Sequence, residues 1–443
     1  MTTQPRRILA VEEIKAIQQM RKAIFRVRLM GRGVLEIPTP FMMASFKSPA
    51  DLEHTVYWMT QHDAENFHGI VVPQYNAKWI LQNVFTGTNQ HTLRTQNPYE
   101  NIRNGVIIAD PSTELAYYNR KTKIEEYSNL PVKYKAAITY RQNKKEAQIK
   151  YEAFMQYVET STNAYVLSML THQITVGANL LLAPSTLILN EDETTLTLSI
   201  KINRATKQIS ELHEGWEYAY NFVFHVSNFE DDIIPAKILQ VIAQDKPKRV
   251  VFKIEGIDYL DNRNAYIQRI NLKHFLHELR QLTKQHEIAT LFLNADILGI
   301  FMVYSGLDAF STPVDGTISQ RAYSSKNKHL SDSLKGHWFY YSIMAFVPFR
   351  TLVKKYGETG EIPCPNGCCE GITNYNIARL ERSRKARFCR VHYLNTINAY
   401  LKELHEGIQN DNVVAFSSKL MGSACLNYKD MLPSELGIPE IPI

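Results

Sequence analysis

Cysteine is scarce in this chain, five residues in 443, and that scarcity excludes a fold stapled by a disulfide framework. Four of the five fall between Cys364 and Cys389 with His392 just beyond, a grouping that suits metal ligation better than bridging. Cys425 is left over and reads as a small buried hydrophobe. Long apolar runs are missing too: none approaches the roughly 20 residues that span a bilayer. The N-terminus, with Arg6 and Arg7 before a charged amphipathic stretch, lacks the apolar centre of a signal peptide. The expectation is a soluble protein of the cytoplasm. Charge imbalance is also small. Lys and Arg total 50 against 44 Asp and Glu, and the net +6 permits contact with nucleic acid without marking a protein built to coat it.

What is present is an alternation of apolar strands and amphipathic helices, in a chain long enough for one large core and an appended subdomain. Residues 8–30 space Ile8, Val11, Ile14, Ile17, Ile24 and Phe25 like a helix. Gly31 to Ser45 reads as a strand pair with Pro-containing turns, followed by a helix from Pro49 to about Thr60 and the strand His68 to Pro73. Gly105 to Asp110 is a buried strand stopped at Pro111. Residues 119–150 are polar and charged, a solvated insertion or a docking surface outside the core. A helix over 150–170 leads to a short buried strand and turn at Asn179 to Thr186. The Thr195, Thr197, Ser199 alternation suggests an exposed strand or extended loop. Strands at Tyr220 to Val226 and Arg249 to Gly256 alternate with helices at Ile234 to Gln244 and Leu272 to Gln285. The apolar runs Ala289 to Leu293 and Ile297 to Tyr304 then precede Gly306 to Pro313. This rhythm predicts an α/β fold: a (β/α)8 TIM barrel over 31–345, an N-terminal helix over 1–30 and a zinc-binding C-terminal subdomain over 346–443.

In such a barrel the chemistry gathers where strands finish, so the residues closing the apolar runs are the candidates: Asp110, Ser185, His225, Glu255 with Gly256, and Ser311. Asp110 is a general acid or base by type; His225 is either a ligand contact or a satisfied strand-end histidine. Asp308 and Asp315 flank Ser311. Thiolates and imidazole in two close pairs give zinc the tetrahedral set it prefers. Adjacent cysteines seldom both reach one metal, so the expected ligands are Cys364, Cys369, Cys389 and His392, with Cys368 in reserve. Arg379, Arg382, Arg384, Lys385, Arg387 and Arg390 surround that site, as a phosphate-gripping element or a solvated helix face.

Several of these stretches resemble the tRNA-guanine transglycosylases. Gly306-Leu307-Asp308-Ala309-Phe310-Ser311-Thr312-Pro313 is similar to the family's Gly-Ile-Asp-x-Phe-Asp-x-x-x-Pro, in which the Asp after Phe attacks the ribose. Gly31 to Ser45 resembles the Gly-x-Ile-x-Thr-Pro-x-Phe-Met-Pro-Val opening. Gly105 to Thr113 resembles Pro-Ile-Leu-Thr-Asp-Ser-Gly-Gly-Phe-Gln, which matches Asp110 to the acid/base at the exchanged base. Cys364, Cys369 and His392-Tyr393-Leu394 match the zinc pattern in spacing. The resemblance implies a barrel, a structural zinc, commonly a homodimer, and work on guanine-like 7-deazapurines. The chain departs where the chemistry matters. Ser311 stands at the nucleophile, Ala183-Pro184-Ser185-Thr186 replaces Ala-Phe-Asp-Glu-Cys, His225 replaces the base-reading Gln strand, and Glu255-Gly256-Ile257 replaces Gly-Gly-Leu. Asp315 brings a negative charge where the family is positive. The resemblance therefore implies a repurposed fold that recognises a 7-deazaguanine-type base, or a protein or nucleic acid carrying it, without exchange. Proteins of this kind are associated with bacterial anti-phage operons of the oligonucleotide-signalling type (type IV CBASS). The competing implication is an active transglycosylase on DNA or RNA with Asp308 or Asp315 as nucleophile.

Overall fold

The structure, a computed structural model, describes residues 24–29, 33–46, 49–86, 98–113, 144–189, 193–255, 263–295, 298–304, 306–314, 337–340, 345–348, 364, 368–369 and 382–409. It begins with an antiparallel hairpin of β1 (Ile24–Leu29) and β2 (Gly33–Pro38). Helical spacing in 8–30 had suggested that Ile24 and Phe25 close a helix. They open a strand instead, because Phe25 and Val27 point inward while Ile24 points out, a period of two that a short segment hides inside a helical window. Residues 1–23 of that expected helix lie outside the described residues.

Eight parallel strands then follow one another around a nearly closed barrel: β3 (Phe41–Ser45), β4 (Phe67–Pro73), β5 (Val106–Asp110), β6 (Leu181–Leu182), and, after the two-residue β7 (Leu187–Ile188), β8 (Tyr218–His225), β9 (Arg249–Glu255), β10 (Ala289–Phe292) and β11 (Ala309–Pro313). β11 returns to pair with β3, with Ser311 in register with Met43 and Pro313 with Ser45. On the other side the ring closes through a single parallel bridge between Ile108 and Leu180. The gap is filled by side-chain amides. Gln173 accepts from the Leu182 N–H at 2.8 Å and donates to its carbonyl at 2.9 Å, supplying the pairing that no adjacent strand offers.

Strand alternation divides the buried residues into two clusters. Phe41, Met43, Val71, Val106, Ile108, Leu180, Leu182, Ala219, Val251, Leu291 and Ala309 fill the inside, and Phe25, Val27 and Ile37 of the hairpin close its N-terminal end. The intervening positions, such as Met42, Ile70, Ile107, Phe222, Phe252 and Phe310, pack outward against helices. Each fully buried side chain of this size contributes about 1.5–3 kcal/mol. The helices are Pro49–Gln61, Gln74–Thr86, Pro98–Arg103, Lys144–Thr160, Thr162–Thr175, Glu193–Glu211, Ile233–Asp245, Arg263–His286 and Leu298–Tyr304. Residues 193–211 form a helix and not the extended segment that the threonine alternation suggested. Thr195, Ser199, Ile202 and Thr206 fall on one buried stripe at spacings of three and four.

A second antiparallel pair, β12 (His337–Tyr340) and β13 (Ala345–Pro348), precedes the long helix Arg382–Gln409. That helix adds Tyr393, Leu394, Ile397, Tyr400, Leu401 and Leu404 to the outer core of the barrel. Polar contacts fix it in place: Asn398 donates to the Asp63 carbonyl at 2.8 Å, and the Tyr393 and Thr312 hydroxyls meet at 2.7 Å. No helix among the described residues is long and apolar enough to cross a membrane.

Candidate functional site

Asp110, His225 and Glu255 are the last residues of β5, β8 and β9, at the end of the barrel opposite the hairpin. Two-residue alternation puts Lys253 and Glu255 on the same inward face as Val251. Lys253 Nζ lies 3.3 Å from Asp110 Oδ2 and 3.6 Å from Glu255 Oε1, with the Lys253 and Glu255 side chains 3% and 0% exposed. A buried charge costs several kcal/mol unless paired, which is why one ammonium bridges two carboxylates here. With all three ionised, the group carries one net negative charge. Asp110 Oδ1 also accepts the Ser112 N–H at 3.0 Å. Ser112 sits at φ 50°, in the left-handed region that favours glycine, so the loop keeps a glycine-like backbone at a position that carries a side chain.

Ser311 is wholly buried within β11, and both of its lone pairs are engaged. Its Oγ accepts from the Ser45 hydroxyl at 2.8 Å and from the Asn294 N–H at 2.8 Å. Such a hydroxyl ties β11 to β3 and to the turn after β10, and has no lone pair aimed at a substrate. Asp308 stands just before the other end of the strand, about 10 Å away at ~3.3 Å per residue. Its carboxylate accepts the Thr290 N–H at 2.8 Å and the Thr290 hydroxyl at 3.0 Å. Burial pushes the Asp308 carboxyl up to about 6, against the lowering effect of the Thr290 hydrogen bonds. It braces the barrel floor and does not reach the mouth.

His225 is a strand-end residue that caps the short turn Val226–Phe229. Its Nδ1 accepts the Ser227 N–H at 3.3 Å and lies 2.8 Å from the Ser227 hydroxyl, and burial lowers its pKa. It is the register partner of Glu255. Ser185 turns away from this group. Its hydroxyl bonds to Ser199 on the outer helix Glu193–Glu211, while its carbonyl accepts from Thr113. Gly256 and Asp315 lie outside the described residues. Sequence reasoning missed Lys253, Ser45 and Asn294. Lys253 did leave a signal, since in Arg249-Val250-Val251-Phe252-Lys253-Ile254-Glu255 the alternation places it inside with Val251 and Glu255.

The second site gathers Cys364, Cys368, Cys369 and His392, whose ligand atoms all lie within 4.8 Å of one another and could hold a metal ion. His392 Nδ1 is 3.7, 3.3 and 3.1 Å from the sulfurs of Cys364, Cys368 and Cys369, and the Cys364–Cys368 and Cys368–Cys369 sulfurs are 3.2 and 3.5 Å apart. Four donors at ~2.3 Å from a tetrahedral centre stand about 3.8 Å apart, close to this packing. The thiols themselves favour a cation. Hydrogen bonds from Cys368 and Cys369 hold the Cys364 sulfur well below the usual thiol range, and their bonds to it push Cys368 up to about 12 and raise Cys369 further.

Cys389 was expected as a ligand and does not join the four. It is buried on the long helix one turn before His392, and the adjacent pair Cys368 and Cys369 occupies the places around Nδ1 instead. The turn at 368–369 aims both sulfurs at the imidazole, which overrides the expectation that neighbours diverge. Among the arginines near the site, Arg390 points back to the barrel, 3.6 Å from Asp51 and 3.5 Å from His54 Nδ1. Because Tyr393 bonds to Thr312, the helix that carries His392 is fastened to the strand that carries Ser311. A scan of the sequence against protein-family models and a search of curated proteins returned no match.

Proposed function

We propose that this chain is a transglycosylase-like (β/α)8 barrel with a structural zinc subdomain, and that it binds a guanine-like 7-deazapurine without exchanging it. Zinc is the ion that a set of three thiolates and one imidazole suits best, and a closed four-ligand set is structural and not catalytic. Cys364, Cys368, Cys369 and His392 would hold it, bracing the loop against the helix Arg382–Gln409.

The observation that carries the binding reading is the Asp110, Lys253 and Glu255 group at the mouth of the barrel. A guanine-type edge presents two donors, N1–H and the 2-amino group, beside one acceptor, O6. Two carboxylates and an ammonium are the complement of that pattern, whereas adenine offers the wrong sequence of donors. Base exchange through a covalent sugar intermediate needs a nucleophile with a free lone pair. The Ser311 hydroxyl is committed to Ser45 and Asn294, and the Asp308 carboxylate to Thr290.

Calorimetric titration with 7-deazaguanine tests the reading, with adenine as control. Saturable binding is expected for 7-deazaguanine alone. It should weaken about 10–100-fold in Glu255→Gln, the loss of one charge-assisted hydrogen bond. Equal binding of both bases, or of neither, overturns it.

A further inference from the structure

Lys253 is a buried primary amine that base recognition uses only as a hydrogen-bond donor, yet its setting is that of a nucleophile. It stands near the C-terminal end of a barrel strand, where substrates arrive, with proton acceptors at 3.3 Å in Asp110 and 3.6 Å in Glu255. We infer that Lys253 forms an imine with a small uncharged hydroxyaldehyde, of the class of a ring-opened sugar, entering the barrel mouth between Asp110 and Glu255.

The groups present balance the reaction. Asp110 takes one proton from the Lys253 ammonium, leaving a neutral amine. The amine nitrogen bonds to the carbonyl carbon, and the carbonyl oxygen receives the proton back from Asp110. Glu255 then removes a proton from that nitrogen and delivers it to the departing hydroxyl. Water leaves as the nitrogen lone pair closes the carbon–nitrogen double bond. The net change is ammonium plus aldehyde to protonated imine plus water, with both carboxylates restored and no oxidant required.

The product keeps one positive charge between two negative ones, so the pairing at 3.3 and 3.6 Å survives the reaction. The same charges set the substrate class. Two carboxylates against one ammonium repel keto acids and sugar phosphates and accept hydrogen bonds from hydroxyl groups. The inference does not rest on the base reading, since the amine needs an aldehyde and not a purine.

The test is reductive trapping on the native protein. Glycolaldehyde and sodium cyanoborohydride are added at neutral pH, and the hydroxyethylated lysines are mapped by peptide mass spectrometry. Lys253 is expected to label about tenfold faster than Lys237, whose side chain is 41% exposed, and to saturate with glycolaldehyde. Asp110→Asn should slow labelling at Lys253 and leave Lys237 unchanged. Labelling of Lys253 no faster than Lys237, or at an equal rate in Asp110→Asn, overturns the inference. The wild-type ratio needs no variant to fold, and failure of 7-deazaguanine to bind in calorimetry leaves it standing.

Discussion

Replacing Asp308 by Asn should change how stability depends on pH, and the structure gives both sign and size. The carboxyl is buried at the foot of β11, where it accepts two hydrogen bonds from Thr290, and burial holds its pKa at about 6. In the unfolded chain an Asp titrates near 3.9, so the folded state binds more protons between those values. Stability contributed by this group is therefore fully present below about pH 4 and falls as pH rises to about 6. The loss amounts to ~3 kcal/mol for a shift of about two units. Asn cannot titrate, and its amide oxygen still accepts the Thr290 N–H. The stability of Asp308→Asn relative to wild type should thus rise by ~3 kcal/mol between pH 4 and 7 and be flat above. Urea unfolding at pH 4, 5, 6 and 7, read by tryptophan fluorescence, measures that difference. A difference constant with pH, or one that falls, would refute a carboxyl destabilised as an anion by burial.

The metal set and the Asp110 loop give further expectations. Cys368→Ser should leave well under half of the metal that wild-type protein retains after dialysis, whereas Cys389→Ala should retain it all; elemental analysis decides, and the opposite pattern restores Cys389 as a ligand. Because Ser112 sits at φ 50°, Ser112→Gly should match or exceed wild-type stability, while Ser112→Val should lose about 2 kcal/mol in thermal or urea unfolding. Equal tolerance of Gly and Val would mean that the left-handed turn is absent.

Strands that sit inside the barrel were legible because nothing else needs runs such as Val106 to Ala109 or Val250 to Phe252, apolar on both faces. The helix Glu193–Glu211 was not legible, since its buried stripe is made partly of Thr195, Ser199 and Thr206, and small hydroxyls count as polar in a hydropathy pattern. In the mouth, Asp110 and Glu255 could be read as strand-end carboxylates. The lysine that joins them could be found only by assigning inside and outside to β9. The candidate metal ligands were legible as a group but not as a set. Spacing places Cys364, Cys369 and His392 together, while the choice between Cys368 and Cys389 depends on a turn geometry that spacing does not encode.

The central claim is that the mouth of the barrel holds a guanine-type base and does not transfer it. Radiolabelled guanine incubated with the protein and either tRNA or DNA tests this directly, counting label retained by the protein and label incorporated into nucleic acid. Wild type is expected to retain label and incorporate none, with retention lost in Asp110→Ala. Robust incorporation that vanishes in Asp315→Ala would contradict the account and establish a relocated nucleophile.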